Sequence, residues 1–126
     1  MRTNLETILK SKGIEYDDHW KATSMAEMLG LPDGMGEDMM IVQGAAGILD
    51  PACRREVASR LGCKVKDLYI LPSSIWEVIV INKANIDDVG NLLEIVKNVN
   101  RTEVSPEEQL ADNVFEVVKG KVMSVF

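Results

Sequence analysis

The first third of the chain carries two helical patterns and a turn. Apolar residues recur at helical spacing over residues 3–12 and predict a short helix. Ser24 and, three residues later, Glu27 form a capping box, which starts a second helix that ends at Gly30. The Pro-Asp-Gly sequence within residues 31–36 predicts a tight connection.

The next region changes to strand-like patterns. The apolar run 39–42 predicts a buried strand, and residues 47–49 are also typical of an extended segment. The small residues 43–46 between them predict either a sharp hairpin or a kink within one strand. A helix is predicted over 51–61, because Asp50 supplies a capping carboxylate and a proline follows at the first helical position.

Two further strands are predicted around a Pro-Ser-Ser turn. Residues 68–71 and 75–81 are rich in β-branched and aromatic side chains, and Pro72 to Ser74 separate them. Both faces of the second strand are mostly apolar, so we expect it at the centre of the sheet. The alternation places Trp76 in the core.

The last third combines a strong helix with a final strand. Residues 86–99 have a wide apolar stripe that includes Ile95, which predicts a helix buried against the sheet with Asn85 as its cap. Ser-Pro-Glu-Glu starts a short helix over residues 105–111, and residues 114–118 predict a strand.

The order of these elements predicts an α+β fold. We expect a single domain over residues 1–126, with a mainly antiparallel sheet of four or five strands and helices covering one face. No repeat or linker indicates a second domain.

Composition and charge exclude several classes of function. The 126 residues are 46% hydrophobic and 27% charged, which is typical of a globular domain. Twenty acidic residues against 14 basic ones give a net charge of −6, which argues against direct nucleic-acid binding. No apolar run approaches the roughly 18 residues that cross a bilayer, and the N-terminus has no secretion-signal pattern, so we expect a cytoplasmic protein without membrane contact.

The cysteines indicate neither a disulfide nor a cofactor. Cys53 and Cys63 flank a predicted helix, so their α-carbons would lie roughly 15 Å apart, too far for a disulfide. His19 is the only histidine, and its distance from both cysteines gives no zinc spacing. We therefore expect reduced thiols and no metal or other cofactor.

One long segment carries a family resemblance. Residues 68–81, Leu-Tyr-Ile-Leu-Pro-Ser-Ser-Ile-Trp-Glu-Val-Ile-Val-Ile, follow a Gly-Ala-Ala stretch at 44–46 and the helix at 51–61. This arrangement resembles an uncharacterised family of gut clostridia and their relatives, whose members carry a Leu-Pro-Ser-Ser-Ile-His-Glu-Val-type segment. Trp76 stands where those members have the histidine.

The resemblance covers residues 24–118 and corresponds to the C-terminal half of longer members. It leaves residues 1–23 as a variable lead-in and residues 119–126 as a tail. It implies no activity, since the family has no known one. Members often accompany accessory genes of mobile elements, which implies a bacterial accessory role.

The Pro-Ser-Ser turn is the first candidate for chemistry. In a serine-dependent hydrolase, Ser73 or Ser74 would be the nucleophile and would act together with Glu77. A serine nucleophile needs a base within hydrogen-bond reach. His19 lies far away in the chain. The turn is better interpreted as scaffold, in which Pro72 fixes the backbone and the hydroxyls bond to nearby backbone groups.

An acidic stretch is the second candidate. Residues 15–38 hold seven acidic residues against one basic residue, Lys21. We predict a binding surface composed of Asp17, Asp18, Trp20, Asp33, Glu37 and Asp38. Trp20 would be a partly exposed contact anchor within it.

These features favour a small non-enzymatic module that binds a protein with a basic surface. One alternative is an inhibitor of a host defence nuclease, in which the acidic surface occupies a basic groove. Another is the serine-dependent hydrolase. Self-association is a further alternative, through pairing of the acidic stretch with the basic cluster Arg54, Arg55, Arg60, Lys64 and Lys66, whose first two members we expect on outer faces.

Overall fold

A computed structural model of the protein describes residues 2–14, 20–30, 32, 38–72, 74–103 and 110–126. The α-helices in these residues are α1 (Leu5–Ser11), α2 (Met25–Leu29), α3 (Pro51–Leu61) and α4 (Val89–Glu103). The strands are β1 (Lys21–Ser24), β2 (Met39–Gln43), β3 (Leu68–Leu71), β4 (Glu77–Asn82), β5 (Phe115–Val118) and β6 (Lys121–Ser124). The helix that the sequence predicts over 105–111 and the turn over 31–36 fall mainly outside the described residues.

The strands form one antiparallel sheet in the order β1-β2-β4-β3-β5-β6. The α+β class and the single domain are therefore confirmed, with slightly more strands than the four or five predicted. The additional strands are β1 and β6, and β6 lies within the segment that the sequence leaves as a tail. The apolar strand β4 lies between β2 and β3, at the interior position that its two apolar faces predict.

Helices pack on both faces of this sheet. Val78 and Val80 of β4 belong to a core cluster that includes residues of α1 and α3. The alternate residues Ile79 and Ile81 contact a second cluster, to which α4 contributes Leu92 and other apolar residues. The prediction that helices cover one face is therefore wrong, because an interior strand that is apolar on both sides needs cover on both sides.

The larger cluster holds the body of the molecule together. Leu5 and Leu9 of α1 are fully buried in it, although the family resemblance leaves them in a lead-in. The fully buried side chains with the largest volumes are Phe115, Leu5, Leu9, Met40, Ile48, Leu68 and Ile70. Residues far apart in the chain thus share one core.

A 3-10 helix replaces the second extended segment that the sequence predicts after β2. Gly44 has a φ of 86°, and residues 45–49 then form a 3-10 helix in which the Gly47 amide donates to the Gly44 carbonyl at 2.8 Å. The prediction of a hairpin or a bent strand at 43–46 is wrong. The left-handed glycine turns the chain out of the sheet, which an apolar run alone does not reveal.

Helix α3 begins and ends where the sequence predicts. The Asp50 carboxylate accepts a hydrogen bond from the Ala52 amide at 2.9 Å, and Gly62 ends the helix with a φ of 71°. Proline at the first helical position lacks the amide hydrogen that would otherwise need a partner. These local capping signals do not depend on the rest of the fold.

Arg54 is 5% exposed, so its predicted position on an outer face of α3 is wrong. Its Nη1 donates to the Ile48 carbonyl at 2.9 Å, and its Nη2 donates to the Gly120 carbonyl at 3.3 Å. Burial is the main cause that lowers the pKa of Arg54. The side chain connects the 3-10 helix to the β5–β6 turn across the core, a role that helical spacing cannot show.

Helix α4 begins three residues later than the sequence predicts. Asp88, rather than Asn85, caps it, since the Asp88 carboxylate accepts from the Gly90 amide at 2.8 Å. Asn85 instead ends a separate 3-10 turn at Lys83–Asn85. Within the described residues, no helix has both the length and the apolar character needed to cross a membrane.

An ion network joins the N-terminal segment to β5. Glu116 accepts from Arg2 Nη2 at 2.5 Å and from Lys83 Nζ at 2.6 Å, and Lys83 lies 5.2 Å from the centre of the Tyr69 ring. The hydrogen bond from Lys83 is the main cause that holds the pKa of Glu116 below its usual value of 4.5. The network contributes stability only while Glu116 is ionised.

We expect Glu116→Gln to lower the free energy of unfolding by about 1 kcal/mol at neutral pH, because the ion pairs are partly exposed. The native pKa is depressed, so this contribution is complete above the unfolded value near 4.5 and decreases as pH falls toward the native value. Urea unfolding of both proteins at pH 7 and at several values below 4.5 measures the difference.

Glu6→Gln is the matched control for this prediction. Glu6 lies 3.9 Å from Lys10 and both side chains are exposed, so its removal should change stability little at pH 7. A stability difference for Glu116→Gln that does not shrink in acid would contradict the assigned role of the network.

Candidate functional site

An apolar groove lies between α4 and the sheet face beneath it. We call it the α4 groove, and it encloses about 320 Å³. Its lining residues come from β2, β3, β4, the segment before α4, and α4 itself. They are Met39, Leu71, Ile79, Ile81, Ile86, Leu92, Ile95 and Val96. Every lining side chain is apolar.

Strand register builds the floor of the groove. Met39 is the cross-strand partner of Ile81, and Leu71 is the partner of Ile79, so these four side chains point to one face. The same face would be covered fully if α4 lay centrally over it. Met39 is instead 37% exposed.

The wall of the groove comes from one side of α4. Leu92 and Val96 are buried against the sheet, whereas Ile95 is 58% exposed. The prediction that Ile95 is part of a buried stripe is therefore wrong. The stripe is wider than the surface that α4 contacts, so its edge is left at the mouth of the groove.

An acidic depression of about 230 Å³ continues from the groove. Ile86, Leu92 and Ile95 line both. The remaining lining residues are polar or acidic, and they are Asn85, Asp87, Asp88 and Asn91. We call this depression the acidic end of the groove, and it places two exposed carboxylates beside an apolar surface.

Among the described residues, nothing near the groove supplies nucleophilic or metal chemistry. No three His, Cys, Asp or Glu residues of the described part converge to hold a metal ion. Cys53 and Cys63 are free thiols on and after α3. Burial raises the pKa of Cys53 to about 12 and also raises that of Cys63, so neither thiol is activated. The groove can bury apolar groups and attract cations.

The acidic surface predicted from the sequence falls largely outside the described residues. Asp17, Asp18, Asp33 and Glu37 lie there. Of its other members, Asp38 is exposed directly before β2, and therefore directly before Met39 of the groove.

Trp20 is half-buried and anchored in the protein's own structure. Its indole Nε1 donates to Asp50 at 3.0 Å, and its β-carbon packs against Gly47. The side chain also packs against the larger core cluster. Trp20 therefore helps to hold the 3-10 helix and the start of α3 in place.

In the Pro-Ser-Ser turn, the Ser74 hydroxyl forms hydrogen bonds within the turn itself. Ser74 Oγ accepts from the amides of Trp76 and Glu77 at 3.3 and 3.2 Å, and it donates to the Glu77 carbonyl at 3.4 Å. Pro72 and Ser74 are buried and Glu77 is half-buried, whereas Ser73 lies outside the described residues. This is the geometry that a turn-holding serine requires.

Trp76 is 64% exposed, so its predicted place in the core is wrong. Strand β4 begins only at Glu77, and Trp76 belongs to the preceding turn, where its carbonyl accepts from the Gly44 amide at 2.7 Å. Alternation along residues 75–81 does not extend into the turn, so it cannot place this side chain.

Reasoning from the sequence missed the α4 groove, although two signals for it were present. Residues 75–81 are apolar on both faces, and the apolar stripe on residues 86–99 is unusually wide. Together they require a helix over the second face of the sheet. Neither signal indicates how far α4 lies from the centre of that face. Its position away from the centre leaves the groove open.

A family model matches residues 8–117, and its description is a family of unknown function, DUF5688. The match confirms the resemblance to an uncharacterised family. No curated protein and no solved structure matches the chain.

Proposed function

The chain belongs to DUF5688, a family of unknown function, and we propose that it acts as a small non-enzymatic protein-binding module. The α4 groove is the contact surface in this proposal. The observation that carries it is the exposure of Ile95 and Met39 at the mouth of a groove that only apolar side chains line. Exposure of apolar area to water costs roughly 25 cal/mol of free energy for each Å². A partner that covers the groove would remove this cost.

A protein partner fits the groove better than a small molecule does. Sites for small ligands combine an apolar lining with a few polar groups that fix the ligand's orientation. The lining of the α4 groove has no polar side chain, and its polar groups lie only at the acidic end. An apolar groove with charge at one end is typical of a surface that receives a peptide segment.

A hydrolase is the less supported alternative. Ser74 Oγ already bonds to three backbone groups of its own turn, and each of these partners is a main-chain atom rather than a base. Activation of a serine requires a base that takes its proton. The contacts of Ser74 therefore support a structural role for the turn.

The other predictions from the sequence stay predictions. A nuclease inhibitor would use the acidic stretch at 15–38, most of whose named members lie outside the described residues. A cytoplasmic location and a role beside mobile elements of clostridia rest on composition and on the resemblance. The α4 groove supports none of these over a general binding role.

The test compares partner capture by three forms of the tagged full chain in its own host. Ile95→Gln removes the exposed apolar wall and keeps a good helix former, so the fold should persist. Trp76→Gln is the matched control, because it removes another exposed apolar side chain outside the groove. Quantitative mass spectrometry after purification measures the co-purifying proteins.

We expect at least one stoichiometric partner to be lost about tenfold or more with Ile95→Gln, corresponding to about 1.4 kcal/mol, and retained with Trp76→Gln. Circular dichroism and thermal unfolding confirm that both variants fold. Equal capture by all three forms, or capture of no partner by any, would overturn the proposed contact surface.

A further inference from the structure

We propose that the α4 groove takes an amphipathic helix of a partner protein, with apolar residues in the groove and Lys or Arg at the acidic end. This inference rests on the proposed function and specifies the partner's chemistry. Two observations carry it: the floor strands have no unpaired backbone edge, and the charge beside the groove has one sign.

The floor of the groove excludes binding by strand addition. Strand β2 is paired with β1 and β4, and β4 is paired with β2 and β3, so both lie inside the sheet. Their backbone N–H and C=O groups already serve the ladders. A segment lying on this floor must therefore satisfy its own backbone hydrogen bonds, and a helix does so without help from the groove.

The apolar lining requires one apolar face on that helix. Ile79, Ile81 and Leu71 form the floor and Ile95 forms one wall. Apolar side chains at positions i, i+3, i+4 and i+7 of a partner helix fall on one face and would meet this surface together.

The charge at one end requires basic residues on the same helix. Asp87 and Asp88 are exposed in the acidic end, and Asp38 is exposed directly before Met39. No Lys or Arg is among the described residues that line either depression. Lys83, which lies nearby in the chain, is held by Glu116. The charged side chains that line the two depressions are therefore all acidic, which favours Lys or Arg on the partner.

A second copy of this chain fits less well. Each copy has a net charge of −6 and would bring its own acidic groups to the acidic end of the other. Like charges brought together at an interface oppose binding. An anionic membrane surface is disfavoured for the same reason.

The experiment measures fluorescence anisotropy of three synthetic peptides of about 18 residues, roughly 27 Å as helices, titrated with the full chain. The first places Leu at i, i+3, i+4 and i+7 and Lys elsewhere. The second replaces every Lys by Glu. The third has the composition of the first in a scrambled order without an apolar face. The protein forms are the unaltered chain, Ile95→Gln, Trp76→Gln, and the pair Asp87→Asn with Asp88→Asn, which keeps a residue able to cap α4.

We expect the first peptide to bind about tenfold or more tightly than the other two. Ile95→Gln should weaken it by about tenfold, Trp76→Gln should leave it unchanged, and the Asn pair should weaken it by about three- to tenfold at low salt. Equal binding of the scrambled peptide would show attraction by net charge alone and would overturn the proposal. Failure of all three peptides to bind, or preference for the Glu peptide, would overturn it also.

Two further measurements identify other occupants. Self-association that sedimentation detects and Ile95→Gln abolishes would assign the groove to a second copy. Slow thiol labelling of Ile95→Cys, in a Cys63→Ser background that removes the half-buried thiol and leaves only the buried Cys53, would show that the chain's own residues cover the site. Either result would overturn the amphipathic-helix proposal. The protein-binding function fails separately, if the host partners are insensitive to Ile95→Gln.

Discussion

Phe115→Ala should lower the free energy of unfolding by about 3–5 kcal/mol. Phe115 is 1% exposed and is the largest fully buried side chain of the described residues. It lies on β5 beside β3, in register with Ile70, and it packs in the cluster shared by α1, α3 and the sheet. Its removal leaves a cavity that side chains on rigid strands cannot fill.

The chain's other phenylalanine is the matched control. Phe126 is 49% exposed at the C-terminus, so Phe126→Ala should change the free energy of unfolding by less than about 1 kcal/mol. Urea unfolding followed by circular dichroism measures both variants against the unaltered chain. Comparable losses for the two positions would contradict the described core. Since domains of this size are stable by about 5–15 kcal/mol, the expected loss for Phe115→Ala is a large part of the total.

Gly47→Ala should lower the free energy of unfolding by about 1–3 kcal/mol, through a close contact that no side-chain rotation relieves. A β-carbon at position 47 would lie 2.4 Å from the Trp20 β-carbon and 3.2 Å from its Cγ. The Trp20 β-carbon is attached to the main chain, so the backbone itself must shift. That shift would also strain the indole hydrogen bond to Asp50.

Gly90→Ala is the control for this substitution. Gly90 lies in the first turn of α4, and an added β-carbon would meet only the Asp88 carboxylate, at 3.1 Å. Alanine favours a helix over glycine, so stability should be unchanged or slightly higher. In a Trp76→Phe background, fluorescence reports Trp20 alone, and its spectrum should shift with Gly47→Ala and stay constant with Gly90→Ala. An unshifted spectrum with full stability for Gly47→Ala would contradict the close packing.

Local signals in the sequence predicted much of the fold. Asp50 with a following proline, and Gly62, place both ends of α3, and Ser24 with Glu27 and Gly30 places α2. These predictions hold because a cap satisfies backbone groups within a few residues of itself. Strands β2 to β5 were also predicted from the sequence. The alternation and the β-branched residues that indicate a strand are likewise contained within a few neighbouring positions.

Predictions failed where the position of a side chain depends on a distant partner. Helical spacing predicts Arg54 on the surface, yet its guanidinium donates hydrogen bonds to the carbonyls of Ile48 and Gly120. Trp76 follows an apolar alternation, yet it lies in a turn before the strand, where its carbonyl accepts from the distant Gly44 amide. In both cases a hydrogen bond formed outside the local pattern decides burial.

The sequence by itself therefore determined the fold class, both ends of α2 and α3, and the apolar character of both faces of β4. The tertiary structure alone decided where α4 lies over the second face, and with it the α4 groove and the acidic end. The physical reason is that periodicity specifies which side of an element is apolar. Where that side lies depends on packing against residues from β2, β3 and β4, which meet only when the sheet has formed.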